Sequence, residues 1–366
     1  MAHVKTGTKI LLVDYPYPDG QAREQALRSM GMDIMVFNHI KSRIWSGNHP
    51  AKKRLQPVLR LIRPLKALLS RIDSDRTNNE LITTADVFNP DVVLIVKGDN
   101  LSQSSIRNLR KNGRLLLNWD GDSILSPGRT HAVLPKLDMY DFYFTIDTVD
   151  LLPPDIRAAM QAKNPNIYTV PFAANTDFFK PTTIAGPEGN ALASVLAFIG
   201  TVNPVRKTLL EKLVDLDLKI WGPADSAWGP WCARGSVLEK AYQHRSVYGD
   251  ELVRIYSTAA IVLDMHFLFA VAETVPNVTM RVFEVPAAGG FVLTNRSPQL
   301  SLLFDVDNEI ICYSSAHELR EKAVYYLKNP HCRREIAEKA RRRVLAEHTF
   351  KHRLETIFKI IDGKFP

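Results

Sequence analysis

The sequence is short of several things. Only three cysteines occur in 366 residues, Cys232, Cys312 and Cys332, and no two have metal-ligand spacing. This excludes a disulfide scaffold or a cysteine–zinc module and predicts free thiols in a reducing compartment. The longest apolar run, 259–272, is broken by Asp264 and His266 and is too short to span a bilayer. No signal-peptide layout precedes the apolar KILLVDY segment, so a cytoplasmic protein is expected. There is no internal repeat and no low-complexity tract. The first strand and helix lack G-x-G-x-x-G, which argues against a dinucleotide site. Acid is missing from one stretch, 41–72, which holds nine cations (Lys41, Arg43, Lys52, Lys53, Arg54, Arg60, Arg63, Lys66, Arg71) in a chain of net charge +8. That segment carries the whole net charge, so an anionic partner is expected to meet it there.

What is present alternates. Apolar runs at 9–14, 32–37, 92–96, 114–119, 142–146 and 167–171 read as buried strands, with helical patterns at 21–30, 102–111 and 132–139 between them. A second series follows, with strands at 195–199, 218–221, 260–263, 291–294 and 309–313 and helices at 249–257, 316–327, 330–347 and 350–361. Strand–helix alternation predicts an α/β chain with doubly wound parallel sheets. In such sheets ligands bind beyond the carboxyl ends of the strands. Asp14, Lys97, Asp99, Asp120, Asp122 and Asp147 fall at those ends. A carboxylate there also serves as a turn or cap residue, and that plainer role stands beside the functional one. Length suits two domains. Within 41–72, Pro57 and Pro64 interrupt a helical stripe of Leu55, Val58, Leu59, Ile62, Leu65, Leu68 and Leu69. This is either a basic insertion packed on the first domain or a surface for an anionic membrane.

The stretch 281–294, RVFEVPAAGGFVLT, organises the second half. It reads as a helix carrying Arg281 and Glu284, a glycine exit at Gly289 and Gly290, and a buried strand. With Asn277, Thr279, Phe283 and Leu293 it resembles the donor-side motif of GT-B glycosyltransferases, which have two facing Rossmann-like domains and a cleft between. The branch it resembles is the CgeB-like one, named after a spore-maturation protein. The likeness runs to the C-terminus through His348-Thr-Phe350 and Arg353. The segment 175–181, NTDFFKP, resembles the interdomain signature of such enzymes.

The resemblance implies a glycosyltransferase using a nucleotide-diphosphate sugar, with residues 1–175 as the acceptor-side domain (basic insertion 41–80) and 176–349 as the donor domain. It implies that the C-terminal helix, 350–366, crosses back to the first domain. Glu284 is expected to bind the ribose, and Arg206 and Lys207, after Gly200, the diphosphate. Arg281, Asn277, Thr279, Gly289, Gly290, Trp221 and Gly222 complete the expected donor site. A first glutamate of the wider two-glutamate motif would fall at Pro276 and is absent. For a base that deprotonates the acceptor, Asp122, Asp120 and His131 are the candidates. Asp120-Gly-Asp122 is a weak match to a metal-binding D-x-D, so no metal is expected, and no cofactor besides the donor substrate. Expected partners are that donor, a glycan or lipid-linked acceptor and an anionic membrane surface; nucleic acid is not expected, since Trp45 is the only aromatic among the basic residues. Alternatives are a non-catalytic GT-B-like scaffold or a nucleotide-sugar epimerase.

Overall fold

The structure is a computed structural model describing residues 4–38, 63–182, 192–193, 195–223, 235–266 and 276–363. The chain divides into two compact units, Met1–Val170 with Arg353–Pro366, and Pro171–His352.

The first unit opens with β1 (Lys9–Asp14), α1 (Pro18–Ser29) and β2 (Asp33–Asn38). Helix α1 begins earlier than its apolar pattern suggests because Pro18 occupies its first turn, where a missing N–H leaves nothing unsatisfied. α2 (Arg63–Phe88) is a single helix. Pro64 does not break it, because it stands in the first turn, where proline is tolerated. Residues 39–62, with most of the cations and Pro57, lie outside the described residues. Next come β3 (Val92–Val96), α3 (Gln103–Leu109), β4 (Leu115–Asp120), α4 (Arg129–Val133), β5 (Phe142–Thr145), α5 (Pro154–Lys163) and β6 (Ile167–Thr169). The helix expected at 132–139 is split: α4 gives way to a 3-10 turn at Leu134–Met139, with Pro135 in its first turn. Helix α5 is an addition; Pro154 and Asp155 in its first turn are the signal that marks it. The six strands lie parallel in the order β2-β1-β3-β4-β5-β6. The inner strands are apolar along their length, as sheets covered on both faces require.

The second unit runs β7 (Leu196–Ile199), α6 (Pro204–Leu210), β8 (Leu218–Trp221), α7 (Gly249–Thr258), β9 (Ile261–Leu263), α8 (Arg281–Ala287), β10 (Val292–Asn295), α9 (Pro298–Leu303), β11 (Ile311–Tyr313), α10 (Ala316–Lys328) and α11 (Pro330–Glu347). Its five strands are parallel in the order β11-β10-β9-β7-β8. α12 (Phe350–Ile361) follows, and from Arg353 onward the chain belongs to the first unit. Phe350, Leu354, Ile357, Phe358 and Ile361 are buried at helical spacing, and the Val4 N–H donates to Asp362 Oδ1 at 3.2 Å.

Helix α8 ends as its sequence demands. Gly289 takes φ +79°, and the Gly289 and Gly290 N–H groups return to the Pro286 and Val285 carbonyls at 2.9 Å each. A Cβ at Gly290 would fall 1.9 Å from the Tyr256 carbonyl oxygen. Both glycines therefore have a packing explanation that needs no ligand. Gly290→Ala is expected to cost at least about 2 kcal/mol, because backbone must move. Gly289→Ala is expected to cost about 1–2 kcal/mol for its left-handed conformation. Urea unfolding of both variants checks the order; equal midpoints would contradict it.

Candidate active site

At the carboxyl end of β7 the chain turns through Gly200. A Cβ there would lie 2.8 Å from Arg281 Nη2 and 3.6 Å from Arg206 Nη1. Two guanidinium groups thus meet at one bare backbone position. Both also stack on Phe198, with Cζ 5.4 Å (Arg206) and 5.9 Å (Arg281) from the ring centroid.

Each arginine is positioned by its own element. Arg206 lies in α6, whose N-cap Asn203 accepts the Arg206 N–H at 2.8 Å. Its side chain is buried and donates to the Met265 carbonyl (Nε 3.1 Å, Nη2 2.7 Å) and the Thr201 carbonyl (Nη1 2.8 Å). Burial first, then neighbouring Arg281, pushes its pKa down, to about 9, against the pull of Asp264. Arg281 opens α8. It donates to Asp264 Oδ1 at 3.1 Å and to the Ile199 carbonyl, while its Nε is buried with no partner. Burial opposes its charge, but Tyr256, Asp264 and Glu284 outweigh that and raise its pKa.

Asp264, just past β9, is the centre of the group and was visible in the sequence only as a break in an apolar run. It is buried. It accepts Thr279 Oγ1 at 2.7 Å, Thr294 Oγ1 at 2.8 Å and Arg281. His266, two residues on, was also missed. Its Nε2 lies 2.9 Å from Asn277 Oδ1, so that nitrogen is the donor, and burial lowers its pKa. Its backbone N–H donates to Asn295 Oδ1 at 2.8 Å. Ser297 Oγ donates to the Asn277 carbonyl at 3.3 Å, and Gln299 Oε1 accepts the Val278 N–H at 2.9 Å. α9 thereby holds the segment that carries Asn277 and Thr279. The signal for these residues was a polar interruption at the carboxyl end of a buried strand.

Of the other expected donor-side residues, Glu284 is half-buried in the first turn of α8, and its charge acts on Tyr256 and Arg281. Lys207 is drawn away from Gly200: it pairs with Glu211 just past the end of α6. The Trp221 carbonyl accepts the Gly200 N–H at 2.8 Å, and a Cβ at Gly222 would sit 2.6 Å from the Gly200 oxygen. Trp221 and Gly222 therefore set the shape of the β7 exit.

In the first unit the candidates separate. Asp120 is buried, with Oδ1 2.5 Å and Oδ2 2.6 Å from Arg129 Nη2 and the Tyr143 hydroxyl donating to Oδ2 at 2.6 Å. Burial raises its pKa against these bonds. Arg129 also binds Asp99. Asp120 is thus occupied in joining β4, β5 and the β3 loop. Asp122 is partly exposed and pairs with Lys97 Nζ at 3.0 Å. His131 is exposed on α4. Among the described residues no three His, Cys, Asp or Glu side chains gather as a metal site, and no helix is long and apolar enough to cross a membrane.

Residues 206–359 match a protein family described as glycosyl transferase-like. The spore protein CgeB of Bacillus subtilis (strain 168) is 22% identical over 289 residues, covering 76% of this chain and 84% of that protein. Among solved structures, sucrose-phosphate synthase from Thermosynechococcus elongatus aligns over 98% of this chain and 100% of its own at TM-score 0.65 and 13% identity. Anabaena HepE, solved in complex with UDP-glucose, aligns over 97% and 99% at TM-score 0.59 and 13% identity. These likenesses agree with the two parallel-sheet units seen here.

The geometry makes Asp264 the stake of this site. Asp264→Ala strands buried Arg281 and two hydroxyls, so a loss of about 3–5 kcal/mol is expected. Thr294→Val removes one neutral donor from a charged acceptor and is expected to cost about 1.5–3 kcal/mol. Denaturant melts decide it; an Asp264→Ala cost no larger than that of Thr294→Val would overturn the hub.

Proposed function

We propose that this chain, a CgeB-like glycosyltransferase of the GT-B fold, moves a hexose-type sugar from a nucleoside-diphosphate sugar to a hydroxyl of a glycan or lipid-linked acceptor. The observation that carries the reading is the meeting of Arg206 and Arg281 at Gly200. When the bond from sugar to diphosphate breaks, negative charge grows on the phosphate oxygens. Fixed guanidiniums, already largely buried and already positioned by Phe198 and, for Arg281, by Asp264, stabilise that charge without reorganising. Two such cations supply the neutralisation a metal gives elsewhere, so the reading is of a metal-independent transferase. Glu284, one turn beyond Arg281, suits the ribose hydroxyls as a charged acceptor. Asn277 and Thr279, held by His266 and Asp264, shape the place beside it. On the acceptor side Asp122 suits the base, because its carboxylate is partly exposed just past the end of β4 and is positioned by Lys97 at 3.0 Å.

Calorimetry with UDP and GDP against uridine and guanosine tests the donor reading. Arg206→Gln and Arg281→Gln are expected to weaken the diphosphate about tenfold or more while leaving the bare nucleoside within about twofold. Lys207→Gln is expected to do neither, since its charge goes to Glu211. Glu284→Ala is expected to weaken both ligands by about ten- to a hundredfold, having lost charge-assisted bonds to the ribose. Equal losses for nucleotide and nucleoside in both arginine variants would refute the phosphate role.

We further propose that the basic stretch 41–72 brings the protein to an anionic membrane, as work on a lipid-linked acceptor in cell-surface glycan synthesis would require. Its nine cations without an acid support this, at about 1 kcal/mol for each one near the surface. Co-sedimentation with anionic liposomes is expected at low salt and is expected to fade towards 0.15 M, where the Debye length is about 8 Å. Indifference to anionic liposomes at low salt would end this reading.

A further inference from the structure

The six-stranded sheet changes direction between β1 and β3: β2 lies on one side of β1 and β3 on the other. Such a reversal leaves a crevice at the carboxyl ends of the two strands. Val13 pairs with Ile95, so Tyr15 and Lys97, each two residues further on, stand at the two lips of that crevice.

The β1 lip is aromatic. The rings of Tyr15 and Tyr17 stack with centroids 6.1 Å apart and planes 16° apart, and Tyr17 is 60% exposed. The loop that carries them is fixed. The Tyr15 N–H donates to Asp14 Oδ1 at 2.7 Å, and Asp14 is held by Arg23 at 2.6 Å and 3.0 Å. A Cβ at Gly20 would fall 2.0 Å from the Tyr15 carbonyl oxygen, so the loop closes onto α1 only because Gly20 has none. The lip thus presents an exposed ring, Tyr17, stacked on a half-buried one, Tyr15.

The β3 lip is charged. Lys97 adopts φ +63° and Gly98 φ +75°. A non-glycine residue in that region is strained, and here the turn ends with Lys97 Nζ 3.0 Å from Asp122 Oδ2 on the loop after β4. Both side chains are partly exposed.

An apolar aromatic shelf beside an ammonium–carboxylate pair matches one kind of ligand well. A pyranose ring has a C–H face that lies on an aromatic ring and a rim of hydroxyls that both donate and accept. A free phosphate would meet Asp122 and gain nothing from the rings. We propose that this crevice in the first unit binds a pyranose ring, stacked on Tyr17 and Tyr15, with Lys97 and Asp122 at its hydroxyls. Only the name acceptor for that sugar rests on the transferase reading; the binding of the ring does not.

The full chain, fluorescently labelled, is applied to a glycan microarray beside Tyr17→Ala and Tyr17→Trp, with UDP calorimetry on the same three proteins. Capture by one related set of glycans is expected, weakened about tenfold in Tyr17→Ala and kept in Tyr17→Trp, with UDP affinity alike in all three. The exposure of Tyr17 makes a folding failure no explanation for a loss. Capture no better than that of albumin, or equal capture by Tyr17→Ala, overturns the proposal. A fall in UDP affinity in Tyr17→Ala also overturns it, because the rings would then hold a nucleobase. Glycan capture without UDP binding leaves the shelf standing and removes the donor reading instead.

Discussion

A buried carboxylate at the end of a parallel strand is the constraint on which the second unit depends. Asp264 follows β9, the middle strand of five. It takes hydrogen bonds from Thr279 before α8, Arg281 at the start of α8 and Thr294 in β10. Tyr313 of β11 donates to its carbonyl at 3.2 Å. A charge removed from water is tolerable only when its lone pairs are filled, and here the filling groups come from separate elements. One side chain thus fixes where α8 begins. The start of α8 in turn fixes Arg281, and Arg281 defines the space over Gly200. The chemistry proposed for this site inherits its geometry from that folding requirement.

The first unit repeats the device with different residues. Asp120, at the end of β4, is filled by Arg129 and Tyr143, and Arg129 reaches on to Asp99. Asp147 past β5 accepts the Ile124 N–H at 2.7 Å. The carboxyl ends of parallel strands expose carbonyl oxygens and sharp turns, so arginines and N–H groups gather there, and a carboxylate is the residue that satisfies them. This is why a carboxylate at a strand end is a poor indicator of catalysis by itself. What separates Asp122 from Asp120 is its partner: a flexible lysine at partly exposed distance rather than a buried arginine.

Much of this was legible. Apolar runs such as 92–96 and 218–221 coincide with their strands because fully buried strands need nothing but apolar residues. Helices α11 and α12 were legible because Pro330 and the apolar spacing of 350–361 mark them. Helix α2 was legible only at its start, where Leu65, Leu68 and Leu69 continue the apolar stripe, because the rest of its sequence is mixed in character. Arg206 stands beside Gly200, as its position after that glycine suggests, but nothing in the sequence separates it from Lys207. The two differ by one residue, which on a helix turns them about 100° apart: one faces Phe198, the other Glu211. In the sequence, Asp264 and His266 stand only as interruptions of an apolar run. A polar residue that ends a buried strand is better read as the reason for the strand to end there.

The two sheet ends differ in the charge they offer, and that difference orders the chemistry. At Gly200 two guanidiniums converge with an arginine Nε left buried and unbonded, and the like-charge contact between them lowers the pKa of Arg206 after burial has done so. Like charges held together by a fold store energy that an anion releases on arrival, so such a place favours phosphate over any neutral ligand. At the β1–β3 crevice, among the described residues, the charges are of both signs and paired, Lys97 with Asp122 and Arg23 with Asp14. What remains there is aromatic surface and hydrogen bonds, and these favour a neutral, hydroxylated ring. The donor and the acceptor proposed above would call for two such different environments, and each strand end draws its own from the way it satisfies its buried carboxylate.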